Sequence, residues 1–190
     1  MRHAVARWVS IIGHPFAVTV ILVLGIALRL GSNTPQALQG VLTVVGITVL
    51  PIALLMIRKV RKGTWENVDA SNRRERPVLF AVGLAALAVF AGISWMSGSN
   101  PLVMRTCLGV LAMLVVCAIA TRWIKVSLHT AFCTLTATTL LLLHSPLGWI
   151  PLVLLPILLW SRLALKRHVV SEVLAGLVVG LTAGLAIAAM

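Results

Sequence analysis

Long apolar stretches separated by short polar segments run along almost the whole chain. They cover residues 9–31, 37–57, 78–97, 101–121, 127–144, 148–160 and 169–189. A helix needs about 20 residues to cross the hydrocarbon core of a bilayer, and most of these stretches come near that length. The pattern predicts an all-α, polytopic membrane helix bundle in a single domain, residues 1–190. Seven crossings are the first count and six the second, because 148–160 is short and contains Pro151 and Pro156.

The composition and the cysteines further narrow the class of protein to which the chain can belong. Hydrophobic residues make up 60% of the 190 positions, whereas soluble domains are about half apolar. The net charge of +12 is typical of Lys and Arg flanking membrane spans, so no nucleic-acid partner is expected. The three cysteines, Cys107, Cys117 and Cys133, lie within or beside apolar stretches without metal-ligand neighbours, and they are interpreted as small packing residues.

Charge is distributed unequally between the two ends of the predicted bundle. With seven crossings, all of the 16 Lys and Arg residues except Arg29 and Arg105 lie on the side that holds the N-terminus. The positive-inside rule then places that side in the cytoplasm, and a bacterial inner membrane is the expected location. All four acidic residues also lie on this face, namely Glu66, Asp69, Glu75 and Glu172. Placing an ionisable group close to the hydrocarbon core costs free energy, so the presence of these groups indicates a function.

The last span is preceded by a cluster of ionisable residues. His168 and Glu172 are four positions apart and therefore share one face of a helix. A carboxylate beside an imidazole fixes its tautomer, which a nucleophilic histidine requires. Arg162, which follows Ser161, could reach the same pocket across a bend and bind a phosphate with two hydrogen bonds.

Two further clusters share this face of the membrane. One holds Lys125, Ser127 and His129 at the start of the fifth stretch, where the free N–H groups of a first helical turn favour an anion. The other holds Arg73 and Arg76, three positions apart. Two histidines, several cations and a carboxylate form a plausible phosphoryl-transfer site, in which neither a metal nor a cofactor is expected.

These clusters resemble the type 2 phosphatidic acid phosphatase superfamily of membrane phosphatases. That superfamily has three motifs, K-x6-R-P, P-S-G-H and S-R-x5-H-x3-D. The matching segments here are Arg76-Pro77 for the first, residues 126–129 (VSLH) for the second, and Ser161-Arg162, His168 and Glu172 for the third. The resemblance spans residues 69–176, and its third motif is the most specific.

The resemblance implies a role for each matching residue. His168 would be the nucleophile that forms a phosphohistidine, Glu172 would orient it, and His129 would be the general acid. The phosphate would be held by Arg76, Arg162 and the backbone around Ser127. The chain departs from the family at Asp69, which stands at the lysine position of the first motif, so that Arg73 or Lys125 would replace the lysine. The second motif lacks its proline and glycine, and two apparent spans separate the first two motifs.

Hydrolysis of a lipid phosphate or diphosphate is the expected activity, with isoprenyl phosphates or diphosphates and phospholipid intermediates as candidate substrates. Transfer of the phosphate to a second lipid remains open. The alternatives are a non-catalytic membrane scaffold of the same fold and a small anion or lipid transporter. Membrane lipids are the other expected partners.

Three remaining features have structural interpretations. Gly176, Gly180 and Gly184 form a small-residue seam, either for packing within the bundle or for a homodimer. His14 is interpreted as structural, at the entry to the first span. Glu75 is expected to form a solvated pair with Arg74.

Overall fold

The structure, a computed structural model, describes residues 1–66 and 72–189 of the chain. Over these ranges the chain forms nine α-helices and no strand, which confirms the all-α prediction. The helices are α1 (Arg2–Ile12), α2 (Pro15–Arg29), α3 (Thr34–Val44), α4 (Leu50–Arg61), α5 (Arg76–Met96), α6 (Pro101–Ala120), α7 (Leu128–Leu142), α8 (Trp149–Ala164) and α9 (Val170–Ala189). A π-helical turn, Val45–Val49, joins α3 to α4, and short 3-10 turns at Arg73–Glu75 and Pro146–Gly148 precede α5 and α8.

Local sequence signals set several helix boundaries. The side chain of Asn33 accepts from the backbone of Gln36, while the Gln36 side chain accepts from the backbone N–H of Asn33, which forms a capping box at the start of α3. The side chain of Asn100, directly before Pro101, accepts from the backbone N–H of Leu102 and caps α6. Gly31 and Gly98 follow the ends of α2 and α5 with φ angles of 70° and 62°, a conformation that glycine adopts without steric cost. These connectors are the tight turns expected between antiparallel helices.

Within the described part of the chain, five helical stretches are long and apolar enough to cross a membrane. The pair α1–α2, which is bent by 41°, makes a sixth if it counts as one span. The five are Thr34–Arg61, Arg73–Met96, Pro101–Ala120, Pro146–Ala164 and Val170–Ala189. The protein is therefore a polytopic helical membrane protein. The stretch predicted to be short, 148–160, is part of a 19-residue helical segment that continues past Pro156. By length alone α7, with 15 residues, does not qualify as a span.

α7 forms the centre of the bundle and packs against α9, α8 and α2. Its closest approach is to the glycine seam of α9. A Cβ atom on Gly176 would lie 2.6 Å from the carbonyl oxygen of Ser127, and one on Gly180 would overlap the carbonyl oxygen of Ala131. The seam thus packs within the chain, which is the first of the two alternatives. In this structure the three glycines face α7 of the same chain.

α1 lies against the C-terminal half of α8. The hydroxyl of Ser161 donates to the carbonyl oxygen of Ala6 at 2.6 Å, and Gly13 packs beside Leu158. These contacts hold the junction between α1 and α2 next to the end of α8. As a result the first residues of the chain contribute to the charged end of the bundle.

The loop before α5 holds a buried carboxylate. The backbone N–H of Glu66 donates to Glu75 Oε1 at 2.9 Å, and Glu75 is 6% exposed. The expectation of a solvated pair between Glu75 and Arg74 was wrong, because the Glu75 side chain turns inward to this backbone group. Asp69, the residue at the family's lysine position, lies outside the described residues.

Candidate active site

A histidine–carboxylate pair lies at the junction between α8 and α9. His168 Nδ1 is 2.8 Å from Glu172 Oε2, and the backbone N–H of Val169 donates to the same oxygen at 3.3 Å. Because a carboxylate oxygen accepts, the proton of a neutral His168 lies on Nδ1. In this tautomer the lone pair of the ring lies on Nε2. The spacing of four residues predicted this contact, although α9 begins only at Val170, so His168 itself lies in the loop.

The loop that carries His168 is held by its own backbone. Lys166 has a φ of 53°, and the N–H groups of Arg167 and His168 both donate to the carbonyl oxygen of Arg162, at 3.2 and 3.3 Å. This left-handed ending satisfies the carbonyl groups at the end of α8. It also turns the chain so that His168 and Arg162 lie at the same cavity.

Two buried guanidinium groups line this cavity. Arg76, the first residue of α5, is 3% exposed, and its Nη1 donates to the carbonyl oxygen of Val126 at 2.7 Å. Arg162 is 1% exposed, and its Nη1 donates to the hydroxyl of Ser10 at 2.6 Å. The Nε–H of Arg76 is buried and has no hydrogen-bond partner among the described residues. Burying a cation costs free energy unless an anion lies beside it. The two buried guanidinium groups therefore favour a bound anion.

His129 and His14 complete the polar end of the cavity. His129, in the first turn of α7, is 5% exposed, and its Nε2 has no partner among the described residues. The His14 ring meets the His129 ring edge to face, with 5.1 Å between the ring centroids. His14 Nδ1 accepts from the backbone N–H of Phe16 at 3.3 Å, which caps α2. The capping bond places the proton of a neutral His14 on Nε2.

Ser127 and Lys125 support the histidine–carboxylate pair. Ser127 is the N-cap of α7, and its backbone N–H donates to the carbonyl oxygen of Glu172 at 3.1 Å. That amide was expected to hold phosphate, but this hydrogen bond already engages it. Lys125 Nζ donates to the carbonyl oxygen of Arg167 at 2.7 Å and lies 3.8 Å from Glu172 Oε2. Both residues therefore fix the start of α9 against the start of α7.

Two further predicted residues lie away from the cavity. The guanidinium of Arg73 is exposed and donates to the carbonyl oxygens of Arg122 and Trp123, at 3.4 and 2.9 Å. Ser161 donates to α1, as described above, and neither residue lines the cavity. The structure thus brings together His129, His168, Glu172, Arg76 and Arg162 but assigns Arg73 and Ser161 to packing between segments.

The charges around His168 determine its protonation state. Burial and the nearby positive charges of Arg162, Arg76 and Lys125 lower the pKa of His168 to about 2. Burial also lowers the pKa of Lys125, against an opposing effect of Glu172. The imidazole of His168 is therefore neutral near pH 7, the form in which Nε2 can act as a nucleophile.

Two cavities meet at His14. An apolar cavity of about 160 Å³ runs into the bundle from His14, His129, His168, Arg76 and Arg162. A wider polar cavity of about 850 Å³ opens on the charged side of the protein. It is lined by His3, Arg7, Lys125, Lys166 and Arg167 among others. His14 and Phe16 line both cavities and so lie between a water-accessible entrance and an apolar interior.

Sequence reasoning missed His14 and Ser10. The dipeptide His14-Pro15 indicated the start of a helix, and the structure confirms that role. Nothing in the spacing of the sequence links His14 to His129 or Ser10 to Arg162, because both contacts depend on how α1 and α2 pack onto α7 and α8.

Comparisons with protein-family models, with curated proteins and with solved structures find no match for this chain. The resemblance to the phosphatase superfamily therefore remains a prediction from the motif residues.

Proposed function

We propose that this protein is a membrane lipid phosphatase that removes phosphate from a lipid phosphate or diphosphate through a phosphohistidine on His168. The observation that carries the proposal is the 2.8 Å contact between His168 and Glu172 at a cavity end that Arg76, Arg162 and His129 also line. A neutral imidazole with its Nδ1 proton held by a carboxylate presents a lone pair on Nε2. The surrounding cations suit a phosphate group.

In the first step, His168 Nε2 attacks phosphorus and the bond from phosphorus to the lipid oxygen breaks. The leaving oxygen takes a proton from His129, which is in its imidazolium form when the negatively charged phosphate is bound beside it, and the neutral lipid alcohol, or the lipid monophosphate from a diphosphate, departs. Arg76 and Arg162 stabilise the charge on the remaining phosphoryl oxygens. Glu172 stabilises the positive charge that develops on His168.

In the second step, a water molecule attacks the phosphohistidine. His129, now without its proton, takes a proton from that water while the bond between phosphorus and Nε2 breaks. Inorganic phosphate leaves, and both histidines return to their starting states. The polar cavity, with its cationic lining, is a route for water to enter and for phosphate to leave.

The proposed membrane arrangement follows from the order of the helices. The starts of α2, α5, α7 and α9 and the ends of α4, α6 and α8 all belong to the charged end of the bundle, as seven crossings require. In this arrangement α7 is the fifth crossing, and the positive-inside rule orients the site to the cytoplasm. Substrates made on that side, such as isoprenyl phosphates or diphosphates and phospholipid intermediates, are the candidates.

Phosphate release from a panel of lipid phosphates and diphosphates tests the proposal. The purified protein is assayed in detergent with EDTA, beside His168→Ala. Release by the unaltered protein that falls about 10³-fold or more in the variant is the expected result, because the nucleophile is lost. Acid-labile and base-stable phosphate on the unaltered protein would identify the phosphohistidine.

His144→Asn is the matched control for this assay. His144 is exposed in the turn after α7, at the other end of the bundle, and its φ of 56° suits asparagine. The control is expected to release phosphate at the rate of the unaltered protein. Undiminished release by His168→Ala would overturn the mechanism, and no release from any substrate would favour a non-catalytic scaffold.

A further inference from the structure

The apolar cavity continues far beyond the histidines. On α5 its lining extends from Arg76 to Phe90, a distance of about 20 Å along the helix axis at 1.5 Å per residue. At the far end Phe90 is joined by Thr106 and Cys107 of α6. The cavity therefore runs from the charged end of the bundle through most of the thickness of a bilayer.

Among the described residues, the hydroxyl groups that line the cavity below the histidines have no hydrogen left to donate to a ligand. Three threonines line the cavity, and each uses its hydroxyl to donate to the backbone carbonyl four residues earlier. The three bonds are Thr19 to Pro15 at 2.8 Å, Thr48 to Val44 at 2.7 Å and Thr106 to Leu102 at 2.8 Å. A cavity of this kind excludes water and accepts apolar groups.

A backbone irregularity lies along the same cavity. The π-helical turn Val45–Val49 contributes Thr48 and Val49 to the lining, and Val44 precedes it. π-helical turns are rare in proteins and occur frequently at functional sites. Here the turn widens the helix where it faces the interior of the bundle.

We propose that one apolar chain of the bound lipid phosphate lies inside the protein, in this cavity, with its phosphate among the histidines and arginines. The position of the phosphate rests on the proposed function, whereas the position of the chain rests on the cavity lining. The cavity volume of about 160 Å³, spread over about 20 Å of length, fits a single slender chain rather than the paired chains of a phospholipid. Among the candidate substrates this favours single-chain lipids such as isoprenyl phosphates.

Gly83 lines the cavity at a position where a larger side chain could close it. It is buried on α5, and a Cβ atom there would meet only Ile52 Cδ1, at 3.7 Å. A larger side chain at this position would enter the cavity without striking the backbone. Gly92 lies on the same helix with no atom within 4 Å of its Cβ position, on an exposed surface, and provides a matched control.

Photocrosslinking with an alkyl phosphate probe locates the chain. The probe carries one unbranched chain with a diazirine at its end, and the protein is His168→Ala in detergent, which prevents turnover. Labelled residues are mapped by mass spectrometry. We expect labels on Phe90 and Cys107, which line the cavity, rather than on their exposed neighbours Val89 and Leu108.

Closing the cavity should move the label. In Gly83→Leu, labelling of Phe90 and Cys107 is expected to fall about tenfold, the effect of roughly 1.4 kcal/mol, whereas Gly92→Leu is expected to leave it unchanged. Labels confined to Val89, Leu108 and other exposed positions in the His168→Ala protein would overturn the proposal. That mapping decides the question even if Gly83→Leu does not fold.

The result of the crosslinking experiment does not depend on the result of the phosphatase assay. Labelling inside the cavity without phosphate release from any substrate would retain the chain site and reject the enzyme. Phosphate release together with labelling only on the exposed surface would retain the enzyme and place its lipid chain in the bilayer.

Discussion

At the scale of single residues, the carboxylate at position 172 determines which nitrogen of His168 carries the proton. Glu172→Gln would keep the size of the side chain but present an amide that can donate to Nδ1, and the proton would then move to Nε2. We expect phosphate release to fall by about 10²–10⁴-fold, because Nε2 would lose its lone pair to the proton. Glu172→Asp should retain more activity than Glu172→Gln, since it keeps a charged acceptor and matches the residue of the resembled motif.

Initial rates of phosphate release by the two variants test this role of Glu172, with trapping of the phosphohistidine as a second readout. Equal rates in Glu172→Gln and the unaltered protein would exclude the orienting role. A rate for Glu172→Asp below that of Glu172→Gln would show that the length of the side chain matters more than its charge.

The ring of His14 packs against the ring of His129, and we expect this contact to position His129. His14→Asn should preserve the cap of α2, since asparagine is among the best N-cap residues, but remove the ring. His14→Ala should lose both, and the missing cap should cost about 1 kcal/mol of stability. We expect kcat to fall about tenfold in both variants with KM little changed, and the pH–rate profile to shift.

Thermal unfolding measured beside kcat separates the two roles of His14. The positioning role is excluded if His14→Asn keeps the kcat and the pH–rate profile of the unaltered protein. A capping role alone would lower the thermal midpoint of His14→Ala without changing the kinetics of His14→Asn.

Local spacing explains which site residues were predictable. His168 and Glu172 are four positions apart, so their contact follows from the chain geometry near one helix end. Arg76 and His129 were found through the motifs rather than through any contact visible in the sequence. The bond from Arg162 to Ser10 and the contact of His14 with His129 join segments more than a hundred residues apart, and only the packed bundle brings them together.

At the scale of helices, the packing of α9 against α7 positions the site. Gly180→Ala would place a methyl group onto the carbonyl oxygen of Ala131, which cannot move without shifting α7. Overpacking of this kind typically costs about 1–3 kcal/mol, so the thermal midpoint in detergent should fall. Gly92→Ala, where the added methyl group meets no atom within 4 Å, should leave the midpoint unchanged or slightly raised.

A fluorescence-detected unfolding curve in one detergent compares these glycine variants directly. Equal midpoints for Gly180→Ala and Gly92→Ala would mean that α7 and α9 do not approach each other as closely as described. Phosphate release by Gly180→Ala should fall as well, because α9 carries Glu172.

The apolar pattern predicted where helices lie better than how long they are. The stretch 148–160 is short and contains Pro156, which left open a tilted, a broken or a continued helix. α8 continues to Ala164, since a proline inside an apolar helix can be tolerated where neighbouring groups satisfy the backbone. Residues 127–144 were expected to give a span of ordinary length, but α7 covers only 15 residues. The sequence does not show that neighbouring helices surround α7.

At the scale of the whole molecule, the proposed arrangement of seven crossings requires α7 to cross the membrane although the helix is short. Its 15 residues span about 22 Å, less than the roughly 30 Å of a hydrocarbon core. Ten of these residues are buried, because α2, α8 and α9 pack around the helix. A helix enclosed by protein need not match the thickness of the lipid, since its ends meet other helices and loops rather than hydrocarbon.

The number of crossings decides on which sides of the membrane the two termini lie. Seven crossings, with α7 counted, place the N-terminus and the site on one side and the C-terminus on the other. We expect reporters fused to the two ends to differ, with green fluorescent protein active at the N-terminus and alkaline phosphatase active at the C-terminus of the protein expressed in bacteria. A reporter inserted at Gly98, between α5 and α6, should behave like the C-terminal one. Both termini on the cytoplasmic side would overturn the arrangement of seven crossings.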